Sequence, residues 1–267
     1  MSSAAASASA APGGELITGF VLAGGGATDL LLRAAGPSLG AFGVGDALSD
    51  PLLEIFRGST LTTTARGWDR GDNAAAITAA TARAGAFPFP PASGDAAVLV
   101  TLGAGAYTAS IRPAGNNGGV TLAEAYALES GAFAGTRLVN LSARARGESG
   151  ERTFTAGFVV RGDIPQAVLI RGIGPALTAF GVADAMSDPQ VVLYRDGVIV
   201  ARNTDWSLGD DPAGLAAAAG AVGAFPLNAG ARDAALLVNL YSGAYTVEIT
   251  PQSGGGGQVL AEIYAVP

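Results

Sequence analysis

The densest group of side-chain oxygens in this sequence is formed by Asn203, Asp205, Asp210 and Asp211. Calcium takes about six to eight oxygen ligands from carboxylates, amides and loop carbonyls, and a glycine-rich turn can supply the carbonyls. The spacing differs from that of an EF-hand loop. The four residues therefore leave two interpretations open, a solvated turn or a calcium site, and no other metal or cofactor is expected.

Composition excludes the catalytic chemistry that depends on Cys, His or Lys. The chain has no Cys and no His, and all 15 of its basic residues are Arg. Thiolate nucleophiles, Ser-His-Asp triads, Schiff-base lysines and P-loop lysines are therefore absent. We predict that the protein is not an enzyme and has no catalytic residues.

Charge and hydropathy narrow the range of partners. The net charge is -7 and the arginines are dispersed, which argues against binding to nucleic acid or to an anionic membrane surface. No run of about 18 apolar residues is present, so no membrane insertion is expected.

Two tryptophans, Trp68 and Trp206, stand at corresponding places in two similar stretches of sequence. Aromatic rings on the face of a β-sheet can stack on sugar rings, but recurring aromatic residues in strands are more often part of the core. The tryptophans therefore indicate either core packing or a platform for polysaccharide.

Charged residues also recur beside apolar runs. Arg33 and Arg171 lie near the ends of such runs, and Asp95 and Asp233 lie just before others. We hypothesise that these arginines and aspartates form ion pairs across the fold.

A Gly-Pro pair recurs at Gly36-Pro37 and at Gly174-Pro175. Proline restricts φ and glycine permits unusual φ values, so each pair predicts a sharp corner. We expect Phe42 and Phe180 to anchor the two corners in the core. We also expect the aspartates of Asp50-Pro51 and Asp188-Pro189 to cap these corners by accepting backbone N–H bonds.

These recurring features belong to one long repeat. A stretch similar to residues 19–127 recurs about 138 positions later, without insertion or deletion. A repeat of this length is a whole domain, since solenoid units run to about 20–50 residues. We predict a domain over residues 1–130 and a second over 131–267, joined by a linker at Leu128–Thr136.

Short apolar runs separated by Gly, Pro, Asn and Asp predict an all-β fold in each copy. Asp196-Gly197 predicts a two-residue hairpin, and Gly103–Gly105 and Tyr241–Gly243 are interpreted as further hairpin turns. One short alanine-rich helix is expected in each copy, at Asn73–Ala84 and at Pro212–Val222. The predicted fold is two tandem antiparallel β-sandwich, jelly-roll-like domains related by internal duplication.

The first strand differs between the copies. Arg137–Ala145 alternates with bulky apolar residues, whereas its counterpart Ser3–Ala10 contains only Ser and Ala. Because chain ends fray unless they dock, an ordered Ser/Ala strand must add to a sheet of its own domain or of a neighbour. We therefore name a candidate assembly strand by these residues: Ser3, Ala5, Ser7 and Ser9.

A set of motifs in the second copy resembles a known module. The set comprises Arg137-Leu138-Val139-Asn140, Ile173-Gly174-Pro175-Ala176-Leu177, Ser187-Asp188-Pro189, Asn203-Thr204-Asp205-Trp206, Gly243-Ala244-Tyr245-Thr246 and Ala261-Glu262-Ile263-Tyr264. It is similar to tandem β-sandwich repeats of large secreted bacterial proteins, and these resemble pre-peptidase C-terminal modules. The resemblance implies an exported protein with adhesive, structural or enzyme-appended use.

We therefore expect a non-enzymatic structural or adhesive protein, located outside the cell or at its surface. Its expected partner is itself, in a filament or surface layer built by head-to-tail or strand-addition contacts. The alternative is an accessory module of a secreted enzyme that binds carbohydrate or calcium. The first residues show neither the basic start nor the leucine-rich core of a signal peptide.

Overall fold

The computed structural model describes residues 3–10, 15–128, 135–150, 153–253 and 255–267. Contacts divide the chain into two compact units, with the division between Leu138 and Val139. The predicted boundary between residues 130 and 131, and most of the predicted linker, lie outside the described residues. Both units consist mainly of antiparallel strands, so the expectation of an all-β protein is confirmed.

Six strands and one α-helix are described in the first unit. They are β1 (Ser3–Ala10), β2 (Leu16–Ala35), β3 (Pro51–Arg57), β4 (Thr60–Ala65), α1 (Ala74–Ala84), β5 (Ala96–Pro113) and β6 (Gly119–Leu128).

Two long strands, β2 and β5, each contribute to both sheets of this unit. The first half of β2 pairs with the second half of β5, which continues to β3 and β4. The second half of β2 pairs with the first half of β5 and with β6, which in turn pairs with β1. The register between β2 and β5 shifts between Leu22 and Ala27, where three glycines interrupt the alternation. Among the described strands of this unit, the pairing orders are therefore β4-β3-β5-β2 and β5-β2-β6-β1.

The predicted hairpin turns at Gly103–Gly105 and Tyr241–Gly243 are wrong. The chain continues through Gly103–Gly105 inside β5 without reversing direction, and the residues on each side pair with β2 rather than with each other. Glycine is common at turns, but it also permits the twist by which a strand passes from one sheet to the next.

In the second unit, eight strands and one α-helix lie within the described residues. They are β7 (Arg137–Gly147), β8 (Phe154–Val160), β9 (Gln166–Ile173), β10 (Pro189–Arg195), β11 (Val198–Asn203), α2 (Pro212–Ala221), β12 (Ala234–Leu240), β13 (Gly243–Pro251) and β14 (Gly257–Ala265). Here β12 pairs with β9 and β13 pairs with β8 and β10, so the segment around Tyr241 also joins two sheets.

The two sheets of the second unit pack as a sandwich. The orders are β11-β10-β13-β8 and β12-β9-β14-β7. Gly172 on β9 faces the other sheet so closely that an added Cβ would lie 2.5 Å from Val191 Cγ2 and 3.3 Å from Ile249 Cδ1. The glycine thus allows close contact between the sheets.

The outer face of one sheet in each unit is covered by the helix. In β2, Leu30, Leu31 and Leu32 are all buried, although successive side chains of a strand point to opposite faces. Leu31 packs in a cluster with Ile77 and Ala80 of α1. The helix therefore explains why this strand is apolar on both faces, and it encloses the side chains that share a face with Leu31.

The hairpin predicted at Asp196-Gly197 is confirmed. β10 and β11 pair antiparallel up to Arg195 and Val198, and the two turn residues have φ values of 52° and 76°. Both values are positive, as a two-residue type I′ turn requires.

Candidate functional site

A buried arginine lies at the centre of each unit, on the sheet face that the helix covers. In the first unit Arg33 stands directly opposite Glu124 in the register of β2 and β6. Its Nε lies 3.2 Å from Glu124 Oε2, and both side chains are almost fully buried. In the second unit Arg171 stands opposite Glu262, with Nε 3.1 Å from Oε2. The hypothesis that these arginines pair with Asp95 and Asp233 is therefore wrong.

A tyrosine hydroxyl completes each pair. Tyr126 donates to Glu124 Oε1 at 2.6 Å, and Tyr264 donates to Glu262 Oε1 at 3.0 Å. Burial raises the pKa of both glutamates, and the facing arginine opposes this effect. Burial and the neighbouring carboxylate raise the pKa of both tyrosines, so each keeps its proton and acts as a donor. The group is suited to holding a flat cation in place rather than to proton transfer.

Aromatic rings cover the guanidinium, and the two units differ in how many they supply. Arg33 Cζ lies 4.6 Å from the ring centroid of Phe87 and 3.9 Å from that of Phe89. Arg171 Cζ lies 4.5 Å from the ring centroid of Phe225, which corresponds to Phe87. The counterpart of Phe89 is Leu227, which has no ring.

Asp95 and Asp233 hold the Gly-Pro corners. Asp95 Oδ1 accepts the backbone N–H of Gly36 at 2.7 Å, and Asp233 Oδ1 accepts that of Gly174 at 2.9 Å. Each corner continues as a short 3-10 helix whose first N–H groups need such an acceptor. Asp95 and Asp233 therefore cap the corners, a role that was predicted for Asp50 and Asp188.

The prediction that Asp50 and Asp188 cap the corners is wrong. Asp50 accepts bonds from Arg66, with Nε 3.0 Å from Oδ1. Asp188 Oδ2 accepts bonds from Arg232 at 3.1 Å and from Ser253 at 2.5 Å. Both carboxylates thus bind side chains close to the ends of strands.

The predicted anchoring of the corners by Phe42 and Phe180 is also wrong. Both rings are 64% exposed, and each makes an edge contact with a further ring, Phe87 or Phe225. Leu39 is the buried apolar residue of the first corner, as Leu177 is of the second. In each corner the leucine is buried, whereas the phenylalanine three residues later is exposed.

The four residues of the candidate calcium site have separate local roles. Asn203 Oδ1 accepts the Ala235 N–H at 3.0 Å, and Asp205 Oδ1 accepts the Ser207 N–H at 2.9 Å. Asp211 caps α2 by accepting the Gly214 N–H at 2.8 Å, and Asp210 is exposed. Across the described ranges, no three acidic, His or Cys side chains are grouped as a metal site would require. The calcium site stays a prediction.

Trp206 belongs to the core of the second unit. It is 9% exposed, packs with Leu169 and Leu215, and donates Nε1–H to Asn228 O at 3.2 Å. Trp68 is half-buried and donates to Pro90 O at 3.0 Å. A sugar-binding platform requires an exposed ring face, so this burial favours the core interpretation.

The second unit has an apolar cavity beside Trp206, with a volume of about 160 Å³. It lies between α2 and the strands β9 and β12. Leu169 and Ala235 line it from the strands, Leu215 and Ala219 line it from the helix, and Arg171 contributes the charged group.

Strand β11 forms a sheet edge whose apolar side chains face solvent. It pairs with β10, and within the described part of the chain no strand pairs with its other side. Val198, Ile199 and Val200 are 67%, 53% and 46% exposed. The unpaired N–H and C=O groups of an edge strand are a template for a further strand, and apolar side chains favour its addition.

The candidate assembly strand is β1, and its backbone pairs with β6 of its own unit. The register runs from Ser3 opposite Tyr126 to Ala10 opposite Gly119, with Ala5 and Ser7 opposite Glu124 and Leu122. Ser9 faces Val120 in the same ladder. The assembly role of these residues stays a prediction.

Sequence reasoning missed Glu124 and Glu262, the true partners of the arginines. A signal for them was present, because Ala-Glu-x-Tyr occurs at Ala123–Tyr126 and again at Ala261–Tyr264, inside otherwise apolar strands. A carboxylate that recurs in a buried strand requires a buried partner. Arg33 on β2 and Arg171 on β9 lie opposite these glutamates and supply the buried positive charge.

No helix within the described ranges has the length and apolar character needed to cross a bilayer. No protein-family model matches the chain, and no curated protein does. The resemblance to pre-peptidase C-terminal modules therefore stays a prediction.

Solved structures give distant matches. The major capsid protein P2 of bacteriophage PM2 is 10% identical, with a TM-score of 0.22 and 98% of each chain covered. A structure of PNGF-II is 11% identical, with a TM-score of 0.26, and the match covers 94% of this chain and 60% of that one. Likenesses at these scores carry no argument about function.

Proposed function

We propose that this protein is a non-enzymatic structural or adhesive protein, located outside the cell or at its surface, that assembles with copies of itself by strand addition. The observation that carries the proposal is the apolar edge of β11, with which no further strand pairs among the described residues. The location rests on the resemblance of the sequence to repeats of secreted proteins.

The second contact surface is β4, the counterpart of β11 in the first unit. Both strands have six residues, and Thr60, Leu61 and Thr62 are exposed as their counterparts on β11 are. Threonine favours the extended conformation of a strand. Joining β11 of one copy to β4 of the next leaves one edge free at each end, so such a contact continues into a filament.

The test is a pair of edge variants that add charge. Lysines on an edge strand oppose the addition of a further strand. We expect the mass of the wild-type protein to rise with concentration in light scattering after size exclusion. Val198→Lys/Val200→Lys and Thr60→Lys/Thr62→Lys should each stay monomeric, whereas Ala75→Lys/Ala79→Lys, which adds the same charge on an exposed face of α1, should assemble like the wild type.

Mixing the two edge variants separates a filament from a closed pair. Each variant keeps one intact edge, so an equal mixture should form a species of twice the monomer mass and no larger one. Monomeric wild-type protein at every concentration, or assembly of the β11 variant at the wild-type level, would contradict the proposal.

A further inference from the structure

The cavity of the second unit takes no part in the proposed assembly, and its lining indicates a ligand. Ala216 and Gly220 of α2 are exposed at its rim, so the cavity is open to solvent. Its floor contains Arg171, which is 1% exposed. A buried arginine beside an open apolar space offers both a binding volume and a cation to recognise what fills it.

Comparison with the first copy shows which lining residues of the cavity are smaller than their counterparts. Seven of its lining residues have an identical or equally large counterpart in the first unit, and the other four are smaller than their counterparts. The four smaller residues, each given with its larger counterpart, are Ala216 for Thr78, Ala219 for Thr81, Gly220 for Ala82 and Leu227 for Phe89. Every size difference in the lining therefore enlarges the space in the second unit.

The first unit also shows what fits there. The ring of Phe89 is buried and lies over Arg33 with its centroid 3.9 Å from Cζ. In the second unit Leu227 supplies no ring at this position, although Phe225 still covers Arg171. Arg171 Nη2 is buried and has no hydrogen-bond partner among the residues that the structure describes.

We propose that this cavity binds a small, uncharged aromatic molecule with a single six-membered ring, which stacks on the guanidinium of Arg171 as Phe89 stacks on Arg33. The volume suits one ring, since an engineered apolar cavity of about 150 Å³ in another protein binds benzene. The ligand is uncharged because Glu262 already neutralises Arg171.

The probe is 4-fluorophenol, whose binding is followed by ¹⁹F NMR line broadening on the full chain. Phenol and cyclohexanol serve as competitors of similar size, of which only phenol has an aromatic ring. Because a desolvated cation stacked on a ring is stabilised by its quadrupole, phenol should compete about tenfold more strongly than cyclohexanol. Equal competition by the two would overturn the proposal.

Leu227→Phe should restore the missing ring and lower the affinity for 4-fluorophenol at least about tenfold, because the side chain occupies the ligand volume. Leu208→Phe is the matched control, since Leu208 is 83% exposed and lies outside the lining. Its affinity should equal that of the wild type. Wild-type affinity in Leu227→Phe would overturn the proposal.

Two further variants keep the test decisive if Leu227→Phe does not fold. Ala219→Leu fills the cavity from the helix side and should also abolish binding. Thr81→Ala/Phe89→Leu opens the corresponding space in the first unit and should raise the stoichiometry from one site to two. Circular dichroism melting establishes that each variant is folded, and a folded double variant that still binds a single probe molecule would contradict the assignment.

Discussion

Ser38 donates its hydroxyl to the buried carboxylate of Asp95 at 2.5 Å, and the second unit lacks this bond. The counterpart of Ser38 is Ala176, and within the described residues Asp233 Oδ2 is buried without a hydrogen-bond partner. Burial raises the pKa of Asp233, and the N–H groups of Ala176 and Gly174 oppose this effect. The two corners are otherwise held alike, so they form a natural pair for measuring one buried hydrogen bond.

Ala176→Ser should supply the missing donor and raise the free energy of unfolding by about 1 kcal/mol. Ser38→Ala should lower it by about 1–3 kcal/mol, because it leaves a buried carboxylate oxygen unpaired. Urea unfolding of both variants measures the two changes. Opposite signs are required, and a loss of stability in both variants would show that the corners differ in more than this bond.

The same substitution should change the dependence of stability on pH. The pKa of Asp233 is raised in the folded state. Its protonated carboxyl group therefore contributes stability that is fully present below the unfolded-state pKa of about 3.9 and is lost as the pH rises through the folded-state pKa. A donor from Ala176→Ser stabilises the charged form and should reduce this loss. Unfolding free energies measured from pH 3 to pH 7 test it, and an unchanged slope would contradict the assignment.

Glu262→Gln should destabilise the second unit by about 3–5 kcal/mol, because it leaves the Arg171 cation buried without its counter-charge. Arg171→Met/Glu262→Met should recover most of this loss, since apolar residues of similar size replace a buried ion pair at little cost. Thermal unfolding of the single and double variants checks the order. A double variant less stable than Glu262→Gln would contradict this account.

Gly174→Ala should cost more than about 3 kcal/mol, since the new Cβ would lie 2.0 Å from Met186 O and the corner would have to move. Gly181→Ala is the matched comparison. Its φ is 82° and its Cβ would meet open space, so only the left-handed backbone opposes it, at about 1–2 kcal/mol. Unfolding midpoints rank the two, and equal losses would show that the predicted clash is relieved.

The ion pair of Asp50 and Arg66 should stabilise the first unit only above acidic pH. The hydrogen bond from Arg66 lowers the pKa of Asp50, so the contribution is present above the unfolded value of about 3.9 and is lost as the pH falls through the folded value. Arg66→Gln should remove this dependence. Arg144→Gln makes the same change of charge elsewhere and should retain it, as pH-dependent unfolding would report.

Asp211→Ala should lower stability by about 1 kcal/mol, because it removes the cap of α2. Asp210→Ala, at the exposed neighbouring carboxylate, should leave stability unchanged. We expect the same values with and without calcium in thermal unfolding. A rise in the melting temperature of the wild type with calcium that is absent in Asp211→Ala would instead support the calcium site.

Most strand positions could be predicted from the sequence, because alternation of apolar and polar residues is local information. The β10–β11 hairpin follows from Asp196-Gly197 for the same reason. The conformation of Gly103–Gly105 could not be predicted, since glycines allow the chain either to reverse direction in a turn or to continue as a twisted strand. Which of these occurs depends on the partner strand available, and β2 offers one partner on each side of the run.

The sequence by itself determined the all-β class, the long repeat and the absence of His, Cys and Lys chemistry, since each can be read from residue types and their order. Only the tertiary structure decided that Arg33 faces Glu124, because the register of β2 with β6 joins residues far apart in the chain. It also decided that the smaller residues of the second copy, Leu227 among them, line a cavity. A smaller side chain leaves a cavity only when the surrounding side chains cannot move in to fill the volume.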